Sequence, residues 1–195
     1  LKRSRKYTPY IIPLDKKVKD RIVKLKIDVA FIVDAIFLDT NKTTCPYLKN
    51  KTLREILENH RVPYTGSDQK AAARARNKVT SKVAFEKSGL TSARFIPLRH
   101  KKIINEVDKI SENLTFPLMV KPRDEGASIG VTLVKNKSEL AIALMTLRRK
   151  FKHIFVEEFI KGKEVTVPIL EKDGIPVPLE VIEINHKSTF YSSEI

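Results

Sequence analysis

The chain has 195 residues, with 38 Lys and Arg against 23 Asp and Glu, a formal net charge of +15, and 42% apolar and 31% charged residues. That balance is globular, and no apolar run approaches the roughly 20 residues a bilayer span requires, which argues against a helical membrane protein. The basic surplus raises nucleic acid as a partner, yet the cations are interleaved with acids, as in Glu86-Lys87 and Glu171-Lys172-Asp173, and no basic run alternates with stacking aromatics. The expectation is a lysine-rich solvated surface, with no nucleic-acid and no membrane partner.

The basic start, Lys2 to Lys6, is not followed by an apolar core with a small-residue cleavage site, so a secretory signal is not expected. One cysteine, Cys45, excludes an intramolecular disulfide and suits a reducing, cytoplasmic setting. A start at Leu1 and an end at Ile195 inside an apolar-polar alternation read as truncations, so an internal fragment is expected.

Ile27 to Val33 (IDVAFIV) is a β-branched apolar run that predicts a buried strand. Thr52-Leu53-Arg54-Glu55 fits a capping box, and Leu53, Ile56 and Leu57 recur at helical spacing until Val62-Pro63. Asp68 to Ser88 predicts two consecutive helices, with Asn77 as an internal cap and Gly89 as the terminator. A strand near Arg94 to Leu98, a helix around Ile104 to Ile110 and a strand at Pro117 to Val120 follow. Gly130 to Val134 is expected to return as the second arm of a hairpin. Asn136 or Ser138 then caps a helix with Leu140, Leu144 and Leu147 on one face, and Ile154 to Glu157 resumes strand character. Asp173-Gly174, between Glu164 to Leu170 and Ile175 to Ile184, is the strongest short hairpin signal. The mixture predicts an α/β (α+β) protein.

Two segments carry chemistry. Between Phe116 and Val131, a strand ends in Lys121-Pro122 and a loop, Arg123-Asp124-Glu125-Gly126-Ala127-Ser128-Ile129-Gly130, leads to the returning strand. Glycines let backbone amides approach an anion, a serine adds a hydroxyl donor and a strand-end lysine adds charge, which together describe a phosphate lid. Further on, Val156-Glu157-Glu158-Phe159-Ile160-Lys161-Gly162-Lys163-Glu164 places a strand, a break and a carboxylate. That arrangement suits a purine nucleotide: backbone groups at the strand edge for adenine, apolar walls from Phe159 and Ile160, and a carboxylate at Glu164 for ribose hydroxyls. Each segment alone also fits an ordinary hairpin or edge strand.

From about Ile27 to Ile195 the chain resembles the ATP-grasp D-alanine:D-alanine ligases. Val62-Pro63-Tyr64-Thr65-Gly66-Ser67 is similar to the ending of that family's N-terminal domain, and Asn77-Lys78 falls where its helix carries a phosphate-binding lysine. Glu125-Gly126-Ala127-Ser128-Ile129-Gly130 resembles the lid, and Phe190-Tyr191 the entry to a second mobile loop. The resemblance implies the end of a preATP-grasp domain over 1–67, the small ATP-grasp lobe over 68–161 and the start of the large lobe over 162–195. It implies that Lys78 and Lys121 contact ATP phosphates while Ser128, Ile129 and the amides from Gly126 to Gly130 close over them. Lys121 and Ser128 would be the catalytic pair. Glu157 and Ile160 would present backbone to adenine, Glu157, Glu158 and Phe159 would line its pocket, and Glu164 would hold the ribose.

The reaction implied is transfer of the ATP γ-phosphoryl group to a carboxylate, then attack of an amine on the acylphosphate, giving a dipeptide for peptidoglycan precursors. Mg2+ or Mn2+ would take part, with ligands beyond Ile195, and small amino acids would be the other substrates. A homodimer is also implied, and the fragment itself is expected to be inactive. Two departures keep other readings open. Asp34 to Pro46 lacks the family's glycines and histidine, and Ala127 stands where the lid has a first serine. A ligase for another amino acid or peptide, or a nucleotide-binding relative without catalysis, remain as alternatives.

Overall fold

A computed structural model describes residues 8–12, 17–32, 52–98 and 103–185. The expectations resting on Lys2 to Lys6, Val33, Asp34 to Pro46 with Cys45, Phe190-Tyr191 and the end at Ile195 lie outside the described residues. The chain divides into two compact units, Leu1–Arg76 and Asn77–Ile195.

In the first unit, helices α1 (Val18–Leu25), α2 (Leu53–Asn59) and α3 (Gln69–Arg76) are described. The expected capping box starts α2. The Thr52 hydroxyl accepts from the Glu55 N–H at 3.1 Å, and the Glu55 carboxylate accepts from the Thr52 N–H at 2.7 Å. Val18, Ile22, Ile56, Leu57 and Val62 form the buried cluster. The run from Ile27 yields one parallel bridge, Ala30 to Tyr64, rather than a strand. Ala30 donates to the Pro63 carbonyl at 2.8 Å and accepts from Thr65 at 3.0 Å. Next to the bridge, the Ile32 N–H donates to the Thr65 hydroxyl at 3.3 Å, and Arg61 sits in the left-handed region at φ 54°. Tyr64 donates to Glu58 at 2.6 Å; burial, and then the neighbouring Glu58 carboxylate, push its hydroxyl up to a pKa of about 12.

The second unit opens with helix α4 (Lys78–Lys87), whose first turn is capped where the Asn77 side chain accepts from the Thr80 N–H at 3.2 Å. Strand β1 (Phe95–Pro97), helix α5 (Ile103–Asn113), strands β2 (Leu118–Pro122) and β3 (Thr132–Val134), helix α6 (Lys137–Lys150) and strand β4 (Ile154–Glu158) follow. The strands form one antiparallel sheet in the order β1-β4-β2-β3. Strand alternation sorts its faces. Ile96, Leu118, Val120, Val134, Ile154 and Val156 share a face with the core, against Val107, Ile110 and Leu114 of the α5 region and Leu140, Leu144 and Leu147 of α6. The opposite face receives Phe95, Met119, Lys121, Phe155 and Glu157. Asn136 caps α6, its side chain accepting from the Glu139 N–H at 2.9 Å.

The return strand starts at Thr132 rather than Gly130, because Ala127, Ser128 and Gly130 all hold positive φ (48°, 56° and 71°) and extend the turn. Beyond β4 lie β5 (Val165–Thr166), β6 (Ile169–Lys172), β7 (Ile175–Pro178) and β8 (Ile182–Glu183). β6 pairs with β7 and β5 with β8. The β6–β7 turn has Asp173 at φ 54° and Gly174 at φ 78°, the two positive angles a type I′ turn demands.

Candidate functional site

The sheet face opposite α5 and α6 carries a cleft of about 360 Å³, entirely within the second unit. Alternation explains why charged side chains stand among its apolar walls. In β2, Leu118 and Val120 point to the core, so Met119 and Lys121 point away from it; in β4, Val156 is buried in the core while Glu157 points away. Register sets Met119 opposite Glu157 and Lys121 opposite Phe155, making Lys121 and Glu157 diagonal neighbours. The Lys121 ammonium lies 2.6 Å from the Glu157 carboxylate.

Three further pieces complete the walls. The β2–β3 loop contributes Glu125, Gly126, Ala127, Ser128 and Ile129, with Val131 after it. Its turn is held by the Ile129 N–H donating to the Gly126 carbonyl at 3.0 Å and the Val131 N–H donating to the Ser128 carbonyl at 3.1 Å. The N-terminus of α4 contributes Lys78, whose backbone N–H donates to the Arg123 carbonyl at 3.1 Å and whose ammonium donates to the Glu125 carbonyl. This lysine therefore ties the base of the loop to the helix. The end of β4 and the following segment supply Glu157, Glu158, Phe159, Ile160 and Glu164. Glu158 pairs with Arg94 at 3.4 Å.

Of the residues singled out from sequence, Lys78, Lys121, Gly126, Ser128, Ile129, Glu157, Glu158, Phe159, Ile160 and Glu164 are brought together around this cleft. Gly130 is not. A Cβ there would meet the Phe151 ring at 2.7 Å and Pro122 at 2.8 Å, and its φ is +71°, so the glycine is needed for close packing behind the loop. Sequence reasoning passed over Lys82. Its ammonium lies 2.7 Å from Glu157, donates to the Ala93 carbonyl at 3.0 Å and sits 5.3 Å from the centre of the Phe95 ring. The available signal was its spacing, one helical turn after Lys78 on the same face of α4.

Charge is divided along the cleft, which is lined by four glutamates and two lysines. Glu157, 7% exposed, is compensated by Lys82 and Lys121, and Glu158 by Arg94, so the acids nearest the strand are neutralised. One end therefore offers ammonium groups and loop amides to an anion. The other offers Phe159, Ile160 and the Glu164 carboxylate, a surface suited to a planar base and a polyol. The strand edge expected from sequence is not there: β4 is paired with β1 on one side and β2 on the other, the Phe159 N–H donates to the Pro117 carbonyl at 3.1 Å, and backbone is offered only beyond the end of the strand. Among the described residues no group of three His, Cys, Asp or Glu side chains could hold a metal ion. No described helix is long and apolar enough to cross a membrane.

An antiparallel sheet backed by two helices, with a strand-end lysine and a glycine-containing hairpin loop sharing a cleft with the end of the next strand, places the chain in the ATP-grasp fold. Solved structures agree. VanG D-Ala:D-Ser ligase from Enterococcus faecalis matches with a TM-score of 0.65 and 29% identity over 72% of this chain and 41% of that one. The D-alanine--D-alanine ligase from Bacillus anthracis complexed with ATP matches with a TM-score of 0.62 and 27% identity, over 89% and 54%. The chain belongs to the D-alanine:D-alanine ligase family: residues 84–195 match the family's model, described as D-ala D-ala ligase C-terminus. The D-alanine--D-alanine ligase of Geobacter sulfurreducens is 35% identical over 192 residues, which are 98% of this chain and 56% of that protein. The chain thus spans about half the length of the curated relatives it matches.

Proposed function

We propose that this chain is the nucleotide-holding part of an ATP-dependent carboxylate-amine ligase that joins two D-alanine molecules for peptidoglycan precursors, releasing ADP and phosphate. The supporting observation is the convergence of Lys78, Lys121 and the Gly126–Ile129 loop on one cleft with the Glu157–Ile160 segment and Glu164. A triphosphate fits the ammonium end, where lysines and loop amides can neutralise it, and an adenosine fits the other. Residues 1–67 would close a preATP-grasp domain, 68–161 would form the small lobe and 162–195 would open the large lobe. The setting is cytoplasmic, the working form a homodimer, and Mg2+ or Mn2+ is bound by residues outside those described.

Phosphoryl transfer leaves the protein little covalent work, so the residues here act by position and charge. Lys121 and Lys78 would hold the phosphates in line with the acceptor carboxylate and offset the charge that spreads over the transferring group. The loop carrying Ser128 would cover that group and exclude water, since an acylphosphate left open to solvent hydrolyses before the amine attacks.

One observation favours a second reading. At φ 48° Ala127 sits at the cleft wall and offers only a methyl group, where the family's lid has a serine able to hydrogen-bond. A ligase of the same class accepting another amino acid or a peptide is that reading. The test is Mg-ATP-dependent phosphate release by the protein expressed from the full reading frame, comparing D-alanine with L-alanine, other amino acids and no substrate. Stimulation by D-alanine with dipeptide formed is expected; stimulation by a different amino acid alone transfers the assignment to the second reading.

A further inference from the structure

Glu157 is a buried carboxylate with two ammonium groups, one on each oxygen: Lys121 at 2.6 Å on Oε1 and Lys82 at 2.7 Å on Oε2. The two lysines differ in how they are held. Lys82 is also fixed by the Ala93 carbonyl and lies against the Phe95 ring, its side chain is 13% exposed, and it does not line the cleft. Lys121 lines the cleft, its side chain is 24% exposed, and among the described residues Glu157 is its one side-chain partner.

A carboxylate this buried needs a counter-ion, because an uncompensated charge away from water is costly. One lysine satisfies that need, and the second is surplus charge. The fixed lysine is placed to be the permanent partner, which leaves the cleft-lining lysine free to exchange Glu157 for a stronger anion. Resting on the nucleotide reading above, we propose that Lys82 is a positioning residue: it keeps Glu157 neutralised so that Lys121 can move to a bound phosphate without stranding a buried carboxylate. Without Lys82, Lys121 is the sole counter-ion of Glu157 and is withheld from the phosphate. Lys82 itself touches no nucleotide.

The test is titration of the full 195-residue chain with ATP and, separately, with adenosine, for the wild type, Lys82→Met, Glu157→Gln and the double variant. Lys82→Met should weaken ATP by about tenfold, the scale of one charge-assisted hydrogen bond, while adenosine stays within about twofold. In the Glu157→Gln background, where no buried charge holds Lys121, adding Lys82→Met should change ATP affinity by less than about twofold. If Lys82→Met alone does not fold, the double variant, which buries no unpaired carboxylate, still decides the matter by matching Glu157→Gln or falling below it. Equal weakening of ATP and adenosine would mark Lys82 as general structural support and overturn the proposal. Unchanged ATP binding in Lys82→Met, or an undiminished effect of Lys82→Met in the Glu157→Gln background, would overturn it as well. A wild-type chain that binds neither ligand defeats the nucleotide reading itself. A wild type that binds both with Lys82→Met unaffected defeats this inference alone.

Discussion

The β1–β4 sheet and the β5–β8 ladders are built from the same kind of residue and end in opposite states. Leu118, Val120 and Val156 of the sheet are 0% exposed beneath α5 and α6. In the ladders, Ile169 is 61% exposed, Leu170 59% and Ile175 65%. The sheet's register is enforced by what its core face must bury, since a slip of one residue would turn Leu118 and Val120 outward and Lys121 inward. The β6–β7 register rests instead on local chemistry, the two positive φ angles at Asp173 and Gly174. The candidate cleft follows the first kind of order: the diagonal Lys121–Glu157 contact exists because a buried face on the other side leaves those side chains no alternative.

Two substitutions of one type test that contrast most severely. Leu144→Ala, on the face of α6 that covers the sheet, should cost about 2–5 kcal/mol in denaturant unfolding, whereas Leu170→Ala in the ladder should stay within about 0.5 kcal/mol. Similar costs at both sites would mean that the ladder carries as much packing as the sheet. A smaller effect separates the glycines of the two hairpins, both at positive φ. Gly130→Ala adds a methyl group into Phe151 and Pro122 on top of backbone strain, and should cost about 2–4 kcal/mol. Gly174→Ala meets nothing within 4 Å and should cost about 1 kcal/mol, read as faster amide exchange in β6 and β7 alone. Exchange that quickens throughout the sheet in Gly174→Ala would show the two regions to be one cooperative unit.

Much of this was legible in the residues. The capping box at Thr52, the break at Asn77 between helices and the Asp173-Gly174 turn are each decided by neighbours in sequence, and all three occur as expected. The face of α6 was readable for the same reason, from Leu140, Leu144 and Leu147 at helical spacing. Among its described residues the apolar run from Ile27 forms one bridge, at Ala30, and the Ile32 N–H goes to the Thr65 side-chain hydroxyl, a pairing no local pattern announces. In the candidate site, motif order gathered residues from Lys78 to Glu164 that do share one cleft. What the sequence concealed was that Glu157 takes two lysines, since Lys82 meets it from a distant part of the chain and only tertiary packing joins them. Gly130 was hidden differently: a glycine that lets an anion approach and one that makes room for a phenylalanine ring look alike until the ring is in place.

The most direct test of the central claim is amide hydrogen exchange of the chain with and without saturating ATP. If the cleft holds the nucleotide as argued, protection should rise at the amides of residues 126–129 in the loop and at Ile160 beyond β4, with β6 and β7 unchanged. Protection confined to the ladders, or none in the loop and at Ile160 while ATP is bound, would contradict the account.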